Sequence, residues 1–152
     1  MSLNVSKPED QVLVSQLAAY IRENRVAINA VTSGAGFGVT NLAVASGATS
    51  LTIGTDLLAV GHEIVIVTGG VAVLETILGG TEGQIKTFIF QNSLVDLLDG
   101  TKASGKFYLN HLPALSNFEP ELDDVLVLVN VDGDGAAVYG YWKELYRTIS
   151  VR

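Results

Sequence analysis

Cysteine is absent from this chain, which excludes disulfides, thiolate zinc sites and cysteine nucleophiles at the outset. Charge is scarce as well: 16% of residues are Asp, Glu, Lys or Arg, against about 25% in an ordinary globular domain. Only nine residues are basic and they are scattered, so nothing in the chain is suited to neutralising a run of phosphates, and nucleic-acid binding is not expected. Long apolar runs are missing too. Stretches such as Ile64–Val67 and Val125–Val129 are strand-sized and fall far short of the ~18 residues a membrane-crossing helix needs. The opening residues, MSLNVSKPEDQ, do not set a basic region before an apolar one; no signal peptide is expected, and synthesis in a cytoplasm is.

What remains is an apolar, acidic chain. Its 152 residues suit one compact domain with a short appendage. Hydrophobic residues make up 48%, the mean hydropathy is +0.38, the net charge is −7 and the sequence pI is about 4.6. A monomer of this size has much surface to keep wet, so a chain this poor in charge is expected to cover part of its surface with partners, most simply copies of itself.

The first segment reads as a helix. Ser6, Pro8 and Glu9 supply a capping box with an early proline. Leu13, Leu17, Ile21, Asn24, Ile28 and Val31 then recur every three or four residues and form one stripe. Asn24 interrupts the stripe where a coiled coil often carries a polar residue to fix register. Two roles stay open: packing on its own domain, or association with copies or a larger surface. The segment TSGAGFGVT ends this helix, and Gly34, Gly36 and Gly38 make a flexible break. A phosphate-binding reading of these glycines fails on order, because that loop follows a strand and opens a helix. The expected division is therefore an N-terminal helix over 1–33, a hinge over 34–38 and a β-domain over 39–152.

Everything beyond Val39 looks β. VTNLAVASGATSLTIG alternates and turns at Ser46-Gly47, and HEIVIVTGGVAVLET holds two β-branched runs around Gly69-Gly70, a hairpin signal. IKTFIFQ places Ile85, Thr87, Ile89 and Gln91 on one face and Lys86, Phe88 and Phe90 on the other. KFYLNHL is a further short strand, PALSNFEPELDD a loop, and the remainder reads as strand, turn and closing strands. Glycines punctuate these runs at roughly eight- to twelve-residue intervals, which predicts a sandwich, barrel or β-prism.

Candidate chemistry is thin. Asn130, Asp132, Asp134 and Gly135 stand at the first, third, fifth and sixth places of a calcium loop, but Tyr141 occupies the twelfth, where a bidentate Glu is required, and the flanks are strands. Asp-Gly repeated between strands instead predicts a hairpin turn. His62 and His111 lack a neighbouring carboxylate pattern; a weak incidental cation site at the acidic turn and an axial ion held by symmetry-related copies are the metal arrangements left open. Glu119, Glu121, Asp123 and Asp124 form an acidic loop cluster, read as solvated charge. No nucleophile elbow, zincin motif or placed carboxylate pair is present, so neither an enzyme nor a cofactor is expected. Tyr139, Tyr141, Trp142 and Tyr146 crowd into one short stretch. They are either a platform for sugar stacking or, with Trp142 closing the core, interface and rim residues.

Several of these stretches together resemble a known group. DDVLVLVNVDGDG followed by YGYWKELYR is similar to the closing strands of small β-domains in bacteriophage fibre and surface proteins. EGQIKTFIFQNSLVDLLDG followed by GKFYLN fits the same pattern, and DQVLVSQLAAYIRENRVAIN is similar to the N-terminal helix of short phage virion proteins. The resemblance implies a non-enzymatic homotrimeric virion component, its N-terminal segment attached to the capsid or another virion protein and its β-domain projecting from the virion surface. Large tail fibres carry long repetitive shafts, and none is present here, so a head fibre or capsid decoration protein is expected ahead of a receptor- or carbohydrate-binding tail-fibre module.

Overall fold

The computed structural model describes residues 19, 21–22, 36–109 and 116–148. The chain divides into two units, Met1–Gly36 and Phe37–Arg152. In the first, Ala19, Ile21 and Arg22 are helical and exposed, which gives the expected N-terminal helix no real support. Leu13, Leu17, Asn24, Ile28 and Val31 lie outside the described residues. Phe37 and Gly38, expected in the hinge, open the first strand.

The second unit is mainly β. Strands β1 (Phe37–Val44), β3 (His62–Gly69) and β6 (Ile85–Phe90) run parallel, side by side, in one sheet. Phe37 sits beside His62 and His62 beside Ile85, so the chain returns to the same height after 25 and then 23 residues. Between these passes, β2 (Ser50–Thr52) pairs in parallel with β5 (Thr76–Leu78), and β4 (Ala72–Leu74) with β7 (Val95–Leu98). The first part of the unit is thus a parallel coil whose successive turns stack in register.

Then the direction reverses. β9 (Asn117–Phe118) lies antiparallel to β7, and β10 (Val125–Gly133) antiparallel to β6. β11 (Tyr139–Arg147) folds back on β10, and β8 (Phe107–Tyr108) adds in parallel to β11. The result is an open six-stranded sheet in the order β1-β3-β6-β10-β11-β8, with sheets of two and three strands beside it.

Two expectations are corrected here. The architecture contains no closed barrel, because β1 and β8 remain separate edges of the long sheet. And Gly69-Gly70 is a corner of the coil where a hairpin was expected: β3 and β4 pair with other strands. Gly69 adopts φ 137°, and a Cβ there would meet the Val44 carbonyl oxygen at 2.2 Å. The requirement for glycine comes from close approach to the preceding turn of the coil.

The hairpin expected at Asn130–Gly135 does form, as β10 and β11. Its turn is closed by Asp134: the backbone amide donates to the Val138 carbonyl at 2.8 Å, and the carboxylate accepts from the amide of Ala136 at 2.9 Å. Gly140, next along, holds φ 65° with the Val131 carbonyl 2.1 Å from where a Cβ would stand.

One core joins all three sheets. Val65, Val67, Phe88, Phe90, Leu126, Leu128 and Trp142 project from the long sheet onto Leu51, Ile77, Leu74, Leu97 and Phe118 of the small ones. Phe90 meets Phe118 edge-on with ring centroids 5.8 Å apart. Trp142 is wholly buried, and its indole N–H donates to the Ile77 carbonyl at 3.0 Å, tying β11 to β5.

Candidate functional site

Strand alternation sends neighbouring residues to opposite faces, and on the long sheet the two faces differ in kind. The inner face is buried yet carries charge. Glu63 on β3 and Lys86 on β6 are register partners, both fully buried, with Nζ 2.8 Å from Oε1. The Lys86 ammonium also donates to the Leu58 carbonyl at 2.6 Å, while the other Glu63 oxygen accepts from the Leu58 amide at 2.9 Å and from the Thr40 hydroxyl. Burial pulls the Lys86 pKa below its ordinary value, and the hydrogen bond and charge of Glu63 pull it back up. This pair fastens three turns of the coil and leaves neither charge unpartnered. Farther along the same face Asn130 is buried and donates to the Tyr139 carbonyl at 2.7 Å.

The outer face is apolar, half-buried along its middle strands and exposed at Phe37, Val39, Asn41 and Tyr146. One register row reads Phe37, His62, Ile85, Val129, Lys143, Tyr108; the next reads Val39, Ile64, Thr87, Val127, Tyr146; a third reads Asn41, Ile66, Ile89, Val125. Lys143, at one corner, is the only Lys, Arg, Asp or Glu in these three rows. Val39 is 53% exposed and Tyr146 58%. His62 belongs to this face, its Nε2 3.2 Å from the Thr87 hydroxyl and its ring edge-on to Phe37 at 5.5 Å. His111 lies outside the described residues.

The sequence-adjacent aromatics are split by the same alternation. Tyr139 and Tyr141 are on the outer face of β11 and half-buried, Tyr146 is exposed beyond a β-bulge, and Trp142 points inward. A fully buried indole cannot stack on a sugar, so the platform imagined for these four residues does not assemble. Instead Tyr141 meets Tyr108 of β8, with centroids 6.0 Å apart at 80°. Lys102 lies 5.1 Å from the Tyr108 ring centre and 5.9 Å from that of Tyr141, and Lys143 lies 5.3 Å from Tyr108. Sequence reasoning missed Tyr108, Lys102 and Lys143. The period-two rule applied to YGYWK would have separated Trp142 from Tyr141 and placed Lys143 with the latter.

The acidic loop is partly structural. Asp124 is buried and accepts from the Glu121 amide at 2.9 Å and the Thr148 hydroxyl at 3.3 Å. Asp96 and Glu119 line an open recess with Ser93, Pro120 and Glu121. Burial raises the Asp96 pKa above its ordinary value, the Glu119 charge adds to the rise, and the Asn117 amide opposes it. Among the described residues no three His, Asp or Glu side chains stand together as a metal-binding group, and none of their helices is long and apolar enough to cross a membrane.

Comparison with known proteins yields no matching family model, no matching curated protein and no matching solved structure.

Proposed function

We propose that this chain is a non-enzymatic structural protein of a bacteriophage virion, a homotrimeric head fibre or capsid decoration protein whose N-terminal residues 1–33 attach to the capsid or another virion protein. One observation carries the reading: the outer face of the six-stranded sheet is broad, apolar and nearly free of charge, as suits a surface made to meet protein. The resemblance of the closing strands to phage fibre domains supplies the context. The protein is expected on the virion surface after synthesis in the host cytoplasm.

Proteomic analysis of purified virions from the phage that encodes the chain tests the assignment. The protein is expected among the structural proteins, in a stoichiometric multiple tied to the major capsid protein. Its absence from virions, or a gene with no capsid or tail gene nearby, would overturn the assignment. Deleting residues 1–33 is expected to leave Phe37–Arg152, which has its own core, folded and to abolish attachment to capsids; retained attachment would refute the anchoring role.

A second reading, recognition of host surface glycan, is favoured by the outer-face grouping of Tyr108, Tyr141, Lys102 and Lys143. Of the four aromatics first considered it keeps Tyr141 and adds Tyr108. A glycan array tests it: reproducible binding that disappears in a folded Tyr141→Ala variant supports this reading, and no binding to any glycan removes it.

A further inference from the structure

We infer that the partner covering the outer face of the six-stranded sheet is the same face of other copies of this chain, with Ile64, Ile66, Thr87, Ile89 and Val127 at the centre of the contact. The inference deepens the structural reading above and rests on it, by naming both the surface and its occupant.

Extent is the first argument. From β1 to β11 the face spans five strands at about 4.8 Å each, and along β10 it runs from Val125 to Val131 at about 3.4 Å per residue. That is roughly 500 Å² of plane, before the corrugation of the side chains adds to the accessible area. A standard interface takes about 800 Å² from each partner, and the largest apolar patch of a typical monomer reaches 300–600 Å². The face is therefore near the upper end of what a monomer leaves open and supplies the larger part of one such contact.

Charge is the second. The chain carries −7 overall, so two copies repel wherever their acidic surfaces approach. The three outer rows contain no Asp or Glu at all. This is where like-charged copies can meet without bringing carboxylates together. A partner selected for complementarity to an acidic protein would need acidic residues to hold on to, and this face offers none. Self-contact needs only the β-branched surface that is present, the same faces of three copies turning inward to a common threefold axis.

Shape is the third. Ile64, Ile66, Ile89 and Val127 surround Thr87 and its neighbour His62, whereas the polar residues Asn41 and Lys143 stand on the outer strands β1 and β11. An apolar centre with a polar rim is the anatomy of a protein interface.

The test uses the full chain, whose mass in solution is measured by size-exclusion chromatography with light scattering at micromolar concentration. A multiple of 16.0 kDa is expected for the unmodified protein. Ile66→Lys and Ile89→Glu each place a charge at the centre of the contact and are expected to reduce the mass to one chain, with circular dichroism unchanged because both side chains face away from the core. Leu122→Lys, at an exposed apolar position away from this face, should leave the mass unaltered. Should both central variants fail to fold, Thr87→Cys provides a second readout: in a chain with no cysteine of its own, mild oxidation is expected to link two copies through this residue. A monomeric unmodified protein, or an assembly that survives both charge substitutions, would overturn the inference. The two readings fail separately. A monomer that is still found in virions removes the self-contact and the trimer while leaving the virion role, and a face-dependent oligomer absent from virions removes only the virion role.

Discussion

On the inner face of the long sheet one register row reads Gly38, Glu63, Lys86, Leu128, Glu144; one step along, the outer face reads Val39, Ile64, Thr87, Val127, Tyr146. The buried row holds three ionisable side chains, and the outward row holds none of the acids or bases that keep a surface wet. Hydropathy alone would assign these rows the other way round. Burial inside requires that polar groups be satisfied, and Glu63, Lys86, Thr40 and the Leu58 backbone satisfy one another. Exposure outside requires only that water, or a partner, be met. The difference separates what holds the fold from what the fold offers to other molecules.

Breaking the inner network should have the largest effect. Lys86→Met leaves the Glu63 carboxylate buried without its counter-charge and is expected to cost about 3–5 kcal/mol of folding stability, measured by urea denaturation. Adding Glu63→Leu to it should restore part of that loss, since no lone charge remains. A residual cost of about 1–3 kcal/mol is expected because the Leu58 amide and carbonyl lose their partners. A double variant no more stable than Lys86→Met would show that the pair acts through something other than mutual charge.

Adjacent residues on β11 offer the next comparison. Trp142→Ala removes a buried ring and the partner of the Ile77 carbonyl, and should cost about 3–5 kcal/mol or prevent folding. Tyr141→Ala, one residue earlier on the outer face, should change the stability of the isolated chain by about 1 kcal/mol or less, its loss confined to the Tyr108 and Lys102 contacts. Thermal unfolding of the two variants side by side reads out the difference. Equal destabilisation would contradict the assignment of the two faces.

A finer version uses one strand and one kind of change. Val65→Thr puts a hydroxyl into the core and is expected to cost about 1–3 kcal/mol, whereas Ile66→Thr, facing out, should cost about 0.5 kcal/mol or less when measured below the concentration at which copies associate. If Ile66→Thr proved costly only in the associated state, it would tie the outer face to self-contact.

The smallest effect is expected at Asp96, a half-buried carboxylate beside Glu119 that belongs to neither face of the long sheet. Its folded-state pKa is raised above the ordinary 3.8, so its contribution to stability is complete below that value and is lost as pH rises through the raised one. Asp96→Asn should therefore be more stable than the unmodified protein at neutral pH, by about 0.5 kcal/mol or less, and no more stable below pH 3.8. Melting curves across that range would show whether the advantage disappears on acidification.

Much of the β character could be read directly. Alternation in residues 85–90 correctly grouped Lys86 with Phe88 and Phe90, and repeated Asp-Gly correctly marked the β10–β11 hairpin, because both signals are local. The parallel coil could not be read. Its turns begin FGVTNLAV, HEIVIVTG and IKTFIF, which share an inside–outside rhythm and almost no identities, so nothing in the chain announces a repeat. The glycines at the corner misled for a related reason: Gly69 is required by the backbone of the preceding turn, which is distant in sequence. The apolar outer face was hidden in the same way, since Ile64, Ile89 and Val127 look like core residues until the side on which the small sheets pack is known.

By itself the sequence determined that this chain forms short strands with two unlike faces, that it uses no thiol chemistry, and that it has more apolar residues than one small domain easily buries. Those properties follow from residue type and from the period-two geometry of a strand. Only the tertiary structure decided which face turns inward, how the coils stack, and that Lys86 and Glu63 go inside while Ile64, Ile66 and Ile89 stay out. A strand's alternation defines two faces without naming the buried one. That choice depends on a counter-charge 23 residues away and on the small sheets that close over one side.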